Sequence, residues 1–161
     1  KILFSSIALR KKLFFQYDVK DVEVHLFLGD PGRFKEILQN LVSNALKFTS
    51  KGKVIIRAAS QKVSNETARI TVEVEDSGPG IPEEKRIFLF QKFSQGDSST
   101  TRKFGGSGLG LAICKSLIGL MNGTIEVKNA PEQGAIFWFS VMLPVASGES
   151  CSPKNHEPQI E

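Results

Sequence analysis

The apolar and polar positions of this chain follow two periods, one typical of strands and the other typical of helices. Apolar residues at every second position predict strands near residues 22–28 and 68–75, and further strands are expected near residues 13–19, 53–60, 124–128 and 135–143. Apolar residues three and four positions apart predict a helix over residues 33–48 and another after Gly110, and a short helix is expected after Pro82. This order predicts an α/β two-layer sandwich, in which one mixed sheet is covered on one face by about three helices.

The helix predicted over residues 33–48 carries a polar edge. Asp30 and Pro31 precede it and suit the N-cap and the first helical position. Polar residues recur along the border of its apolar face, at spacings of four, four and three: Glu36, Asn40, Asn44 and Lys47. An asparagine oxygen is a neutral ligand that suits Mg²⁺, and a lysine one turn further on can reach a phosphate. The alternative is a solvated helix edge that binds nothing.

A glycine segment follows the strand predicted over residues 68–75. Asp76 stands at the end of that strand, and Gly78 and Gly80 come directly after it. The Asp76 carboxylate is suited to accept a hydrogen bond from an exocyclic amine, and the glycines leave room for a flat ring. The alternative is an ordinary turn, in which the aspartate side chain bonds its own backbone.

A second glycine segment, residues 105–111, leads into the helix after Gly110. Four glycines in six residues let the backbone approach a ligand closely, and the first N–H groups of the helix suit a phosphate. The spacing differs from that of a P-loop and from that of a dinucleotide fingerprint. Taken alone, the segment is equally compatible with a structural turn between a strand and a helix.

Four segments of the chain occur in the order and at about the spacing of one known family. Residues 39–49 resemble the N box of sensor histidine kinases, residues 76–80 their first glycine box, residues 90–93 their F box and residues 106–111 their second glycine box. The resemblance covers about residues 10–145. It implies the Bergerat-type ATP-binding fold of the gyrase, heat-shock chaperone, histidine kinase and mismatch-repair superfamily. Residues 93–106 are especially similar to hybrid histidine kinases, which carry a receiver domain on the same polypeptide.

The resemblance implies ATP as substrate, Mg²⁺ as cofactor and a role for each matching residue. Asp76 would hold the adenine amino group, and Lys47 would contact phosphate. Asn44 would ligate Mg²⁺, with Asn40 in support. The remaining residues of the implied ATP site are Gly78, Gly80, Ile81, Phe93, Arg102, Gly106, Gly108, Leu109, Gly110 and Leu111. Residues 82–104 would form a lid that closes over the nucleotide.

The residue at position 40 bears on the type of reaction. Hydrolytic branches of the superfamily resemble one another in having a glutamate there, whereas this chain has Asn40. An amide cannot accept a proton from water at neutral pH, so transfer to an outside acceptor is favoured over hydrolysis. The resemblance implies transfer of the γ-phosphate to a histidine in a two-component phosphorelay. A hydrolytic ATPase is one alternative. A non-catalytic nucleotide-binding or interaction module is another, and it is favoured by Ile136, where the family often has threonine.

The two histidines do not fit the role of acceptor, because His25 lies in a predicted strand and His156 lies near the chain end with no helix to carry it. The acceptor is therefore expected on a helical dimerisation domain of the same polypeptide. Residues 1–12 are interpreted as the connection to that domain, residues 13–146 as the catalytic domain, and residues 147–161 as a polar linker towards a receiver domain.

Composition is compatible with this interpretation. The 161 residues are 40% hydrophobic, which suits one domain with a core, and the scattered basic residues with a net charge of +4 predict no nucleic-acid partner. The two cysteines indicate no disulfide framework. A cytoplasmic domain is expected, with any membrane anchor upstream. The resemblance implies a homodimer for the full-length protein and a monomer for the isolated domain.

Overall fold

A computed structural model of the chain describes residues 2–24, 26–91 and 108–146. Within these ranges the helices are α1 (Ile2–Arg10), α2 (Pro31–Phe48), α3 (Glu83–Arg86) and α4 (Gly110–Leu120). The strands are β1 (Phe14–Val22), β2 (Lys53–Lys62), β3 (Thr67–Asp76), β4 (Thr124–Asn129) and β5 (Ala135–Pro144). None of the helices in these ranges is both long and apolar enough to cross a membrane.

The strands form one mixed sheet in the spatial order β1-β2-β3-β5-β4. β1 and β2 are parallel, and the other neighbouring strands are antiparallel. Because β3 lies in the centre, Asp76 at its end stands between two strands, opposite Val54 of β2 and Ala135 of β5. The backbone of Asp76 therefore has a neighbouring strand on each side.

The sheet has one apolar face and one charged face. Helices α1, α2 and α4 pack on the apolar face, where Ile37, Leu41 and Phe139 are fully buried. On the other face, Glu75 forms ion pairs with Lys53 at 3.1 Å and with Arg57 at 2.7 Å. The packing of these three helices on the apolar face of one mixed sheet confirms the predicted two-layer sandwich.

The start of α2 agrees with the sequence interpretation. The Asp30 side chain accepts hydrogen bonds from the backbone N–H groups of Gly32, at 2.9 Å, and of Arg33, at 3.2 Å. Pro31 is the first helical residue, where its missing N–H costs no hydrogen bond. This cap fixes where the helix begins, and the helix ends at Phe48 as predicted.

The prediction of a strand over residues 22–28 is wrong. Of the described residues in this range, Val22 is the last residue of β1 and Phe27 forms an isolated bridge with Val145. β1 instead continues to Val22 and includes Asp21, whose φ of 52° is left-handed. Because β1 already occupies the edge of β2, Glu23 and Val24 bond to the end of that strand, at Ser60 and Lys62. Leu26 and Leu28 bond to residues 144–146, at the end of β5 and just beyond it. Alternation alone did not indicate this competition for a sheet edge.

Candidate nucleotide-binding site

The polar edge of α2 lies between the core and the surface. Asn40, Asn44 and Lys47 are all half-buried, whereas Glu36 at the start of the edge is exposed. The Lys47 ammonium lies 5.0 Å from the centroid of the Phe48 ring, within the range of a cation–π contact. The edge thus presents amide and ammonium groups on one side of a rigid helix.

Asp76 is a buried carboxylate, with 6% of its surface exposed. Its Oδ1 accepts a hydrogen bond from the backbone N–H of Gly78 at 2.8 Å, and the backbone of Ala135 donates a second one. Burial raises the pKa of the Asp76 carboxyl above its ordinary value, and these two hydrogen bonds offset only part of that effect. A buried acceptor with unused lone pairs at the end of a central strand is suited to a single polar group of a ligand.

The chain after Asp76 is held by the connection between β4 and β5. The backbone N–H of Ile81 donates to the Asn129 side chain at 3.3 Å. Gly134 has a φ of 105°, and a Cβ there would lie 1.8 Å from the carbonyl oxygen of Asp76. No other residue fits this position without moving the backbone. The connection between β4 and β5 therefore fixes the position of the Asp76 backbone, which carries the carboxylate.

Among the residues that the structure describes, no side chain caps the N-terminus of α4. Leu109 occupies the N-cap position and makes no capping hydrogen bond, and Gly108 before it has a φ of 68°. The first N–H groups of a helix lack intrahelical partners and carry the positive end of its dipole. This end of α4 is therefore suited to an anion, and Leu111, one residue inside the helix, packs against the core and anchors it.

Two close contacts bring these parts together around α2. A Cβ on Gly110 would lie 2.9 Å from Oδ1 of Asn40, so α4 begins directly against the amide. A Cβ on Gly78 would lie 3.2 Å from the carbonyl oxygen of Phe48, so the loop after Asp76 lies against the end of α2. Asn44 stands on the helix between the two contacts. The N-terminus of α4 and the loop after Asp76 therefore both contact α2, on either side of Asn44 along that helix.

The Asn40 side chain has a further partner. It forms a hydrogen bond with Cys114 of α4, whose thiol is fully buried. Burial, and then the charge of Glu36, raise the pKa of the Cys114 thiol to about 12. The thiol therefore stays protonated, donates a hydrogen bond to the carbonyl oxygen of Ile37 at 3.8 Å and packs between α2 and α4.

Several predicted residues lie outside the described ranges: Phe93, Arg102, Gly106 and His25. Phe90 is described, and its ring packs edge-on against Phe137 with centroids 6.4 Å apart. Phe90 therefore anchors its segment to the core.

Sequence reasoning missed Gly134, Asn129 and Ala135, although a glycine directly before a predicted strand was a usable signal for Gly134.

The interpretation of Ile136 as a feature that favours a non-catalytic module was wrong. In the register of β3 with β5, Ile136 stands opposite Glu75, and Ala135 stands opposite Asp76. Side chains alternate between faces, so Ile136 points to the charged face, away from the site. It provides no argument for a decayed pocket.

An apolar cavity of about 1240 Å³ lies on the other side of α2. It is lined by Phe34 and Leu38 of the helix and by sheet residues, and it includes none of the predicted nucleotide residues. Within the described ranges, no group of three or more histidine, cysteine, aspartate or glutamate side chains is placed to hold a metal ion. A metal at the α2 edge would therefore depend on amide oxygens and on a bound ligand.

Residues 29–145 match the histidine kinase-, DNA gyrase B-, and HSP90-like ATPase family. The chain is 47% identical over 118 residues to the sensor protein GacS of Pseudomonas syringae pv. syringae, covering 73% of this chain and 13% of GacS. It is 39% identical over 162 residues to the hybrid signal transduction histidine kinase K of Dictyostelium discoideum, covering 96% of this chain and 13% of that protein. A solved structure of full-length ShkA in complex with AMPPNP is similar with a TM-score of 0.73 and 33% identity, covering 91% of this chain and 29% of ShkA.

The chain therefore belongs to the histidine kinase-, DNA gyrase B-, and HSP90-like ATPase family. Within that family it is an ATP-binding catalytic domain of the histidine kinase type. It spans about an eighth of the length of the two curated relatives, 13% in each case.

Proposed function

We propose that this chain binds Mg·ATP between α2, the loop after Asp76 and the N-terminus of α4, and donates the γ-phosphate to a histidine on a separate dimerisation domain. The observation that carries the proposal is the placement of Asn44 between two contacts, one from Gly110 to Asn40 and one from Gly78 to Phe48. One helix then faces both the base-binding carboxylate and the anion-binding helix end.

Asp76 is proposed to recognise the base. Its carboxylate is buried and already bonded by backbone N–H groups, so it can accept one more hydrogen bond from the adenine amino group. A site that is built to bond one amine discriminates against a base without it, because the buried acceptor is then left unpaired. Adenine is therefore favoured over guanine at this position.

The α2 edge and the N-terminus of α4 are proposed to hold the triphosphate and its metal. The amide oxygen of Asn44 fits Mg²⁺, which keeps several waters and binds largely through substrate phosphates. Asn40 supports it, Lys47 contacts phosphate, and the uncapped N–H groups of α4 donate to phosphate oxygens. Mg²⁺ supplies neutralisation of phosphate charge when bound.

The reaction proposed is transfer rather than hydrolysis. The bond between the γ-phosphorus and its bridging oxygen breaks, a bond to an imidazole nitrogen forms, and ADP leaves. Phosphoryl transfer requires mainly positioning and charge neutralisation, which the described residues are suited to provide. Asn40 cannot act as a general base towards water, and the imidazole proton is left to the acceptor domain.

The rest of the phosphorelay is also proposed by similarity. The acceptor histidine would lie on a dimerisation domain that precedes this one, and a receiver domain would follow it. The similarity to a longer protein that is named as a hybrid kinase supports the presence of further domains on the same polypeptide. A homodimer through the dimerisation domain would bring each catalytic domain close to an acceptor.

The first test is a calorimetric titration of Mg·ATP and Mg·ADP into the chain and into two neighbouring variants. Asp76→Asn should weaken binding about tenfold or more, the cost of losing a hydrogen bond to a charged acceptor. Glu75→Gln is the matched control, because Glu75 faces the other side of the sheet, and it should bind like the unmodified chain. No saturable binding by the folded chain would refute the proposal.

The second test separates transfer from hydrolysis. The chain is incubated with γ-labelled ATP, alone and together with the dimerisation segment of its own polypeptide. We expect acid-labile, base-stable label on the dimerisation segment, as phosphohistidine requires. Steady release of inorganic phosphate by the chain alone, with no label transferred, would favour the hydrolytic ATPase instead.

A further inference from the structure

The end of α1 is fixed against the catalytic domain. Ala8 is almost fully buried, with 1% of its surface exposed. The N–H of Leu13 donates to the carbonyl of Ala8 at 3.0 Å, and Lys12 has a left-handed φ of 57°. This pattern is a Schellman-type helix ending, which turns the chain sharply into β1. It determines the direction in which the side chain of Lys11, directly before the turn, leaves the helix.

The Lys11 side chain reaches the C-terminal end of α2. Its ammonium donates hydrogen bonds to the backbone carbonyls of Leu46, of Lys47 at 3.3 Å and of Thr49 at 3.2 Å. The last carbonyls of a helix lack intrahelical partners and carry the negative end of its dipole. The lysine that directly follows α1 therefore caps the nucleotide-site helix from outside that helix.

The capped end of α2 is also the end that contacts the base-binding loop. The carbonyl oxygen of Phe48 lies 3.2 Å from the position of a Cβ on Gly78, and the N–H of Gly78 bonds Asp76. Asn44 lies one helical turn before this end. A change in how the last turn of α2 is held would therefore reach both the metal-binding amide and the buried carboxylate.

We infer that Lys11 is a positioning residue that couples the docking of α1 to nucleotide affinity. With α1 docked, the Lys11 ammonium fixes the last turn of α2 and, through Phe48 and Gly78, the carboxylate of Asp76. When α1 moves, the cap is lost and the site loosens. The inference rests on the proposed function, because it specifies how the segment before the catalytic domain controls that site.

A Lys11 cap that only stabilised the fold would give a different experimental result from a cap that positions the nucleotide site. It would lower the melting temperature when removed, but the folded protein would bind nucleotide with an unchanged dissociation constant. Positioning changes the dissociation constant itself. A conservative cation should then restore it.

The test measures ADP and ATP binding by calorimetry for the chain and for Lys11→Met, Lys11→Arg and Lys35→Met. We expect Lys11→Met to weaken binding about two- to five-fold, the size of a charge effect at a helix end. Lys11→Arg should restore affinity. Lys35→Met removes an exposed lysine from α2 itself, far from its C-terminal end, and should have no effect.

A spectroscopic measurement accompanies the binding. The backbone amide resonance of Gly78 should shift in Lys11→Met and return in Lys11→Arg, because that amide reports on the Asp76 hydrogen bond. Unchanged affinity and an unchanged Gly78 resonance in folded Lys11→Met would overturn the inference, and so would equal weakening in Lys35→Met. If Lys11→Met does not fold, Lys11→Gln replaces it with the same expected and contrary results. Failure of the unmodified chain to bind would instead refute the proposed function.

Discussion

Glu75 and Asp76 are consecutive residues, and the pKa values of their buried carboxyls are shifted in opposite directions. Glu75 points to the charged face of the sheet, where burial opposes its ionisation but hydrogen bonds from Arg57 and Lys53 outweigh it and lower its pKa. Asp76 points to the helix-covered side, where burial dominates and raises the pKa. The Glu75 carboxylate therefore stabilises the fold. The Asp76 carboxylate remains available to a ligand, and its ionisation lowers the stability of the fold.

The first prediction concerns pH and Asp76. Because its folded-state pKa is raised, the folded state holds the proton more tightly than the unfolded state, and the contribution of Asp76 to stability falls as pH rises through the interval between the two values. The melting temperature of Asp76→Asn relative to the unmodified chain should therefore increase from pH 3.5 to pH 7. Thermal melts across this range test it, and a relative decrease would contradict it.

The second prediction concerns Glu75. Its lowered pKa means that its contribution to stability is present above the pKa of an unfolded glutamate and is lost as pH falls through the lowered value. Glu75→Gln should reduce stability at pH 7 by about 1 kcal/mol, since both partners are partly exposed and screened. Urea unfolding at pH 7 and at pH 3 measures this, and the difference between the proteins should shrink at the lower pH.

The third prediction concerns the metal. Mg²⁺ should strengthen ATP binding to the unmodified chain. In Asn44→Ala the increase in ATP affinity caused by Mg²⁺ should be about tenfold smaller, which is the effect of one strong polar contact. Gln39→Ala is the matched control, because it removes an exposed amide from the opposite side of the same helix. Titrations with Mg²⁺ and with EDTA give the comparison. An Asn44→Ala protein with a full Mg²⁺ effect would exclude this residue as a ligand.

The fourth prediction compares two glycines. Gly134→Ala should destabilise the fold by at least the ~1–3 kcal/mol of a forced backbone conformation, because its Cβ would meet the backbone of Asp76. Gly119→Ala should stabilise it by about 0.5–1 kcal/mol, because Gly119 lies inside α4 with no atom within 4 Å of a new Cβ. Chemical unfolding measures both. Equal effects would show that the close approach to Asp76 is not a constraint.

The fifth prediction concerns Cys114. A buried thiol with a pKa of about 12 should react with a thiol reagent at pH 8 about a thousandfold more slowly than an unperturbed cysteine. The measurement uses a Cys151→Ser variant, so that a single thiol is followed by absorbance. Denatured protein is the control and should react at the ordinary rate. Rapid reaction in the folded state would contradict the described packing of α2 against α4.

Much of the fold follows from interactions that are local in the sequence. The cap at Asp30, Pro31 after it and the apolar spacing up to Phe48 define α2, because helix hydrogen bonds and capping involve residues at most four apart. The alternation before Asp76 likewise defined β3. These local patterns also led to the family, since each box is a short continuous segment of the sequence.

The sequence by itself therefore determined the elements, the family and most of the described candidate site residues. Only the tertiary structure decided which strands compete for an edge, as at residues 22–28, and which residue of β5 faces Asp76. It also revealed Gly134 against the backbone of Asp76 and Lys11 at the end of α2. The physical reason is that strand register and helix docking join residues far apart in the chain, and a one-residue change in register reverses every side chain without changing any local pattern.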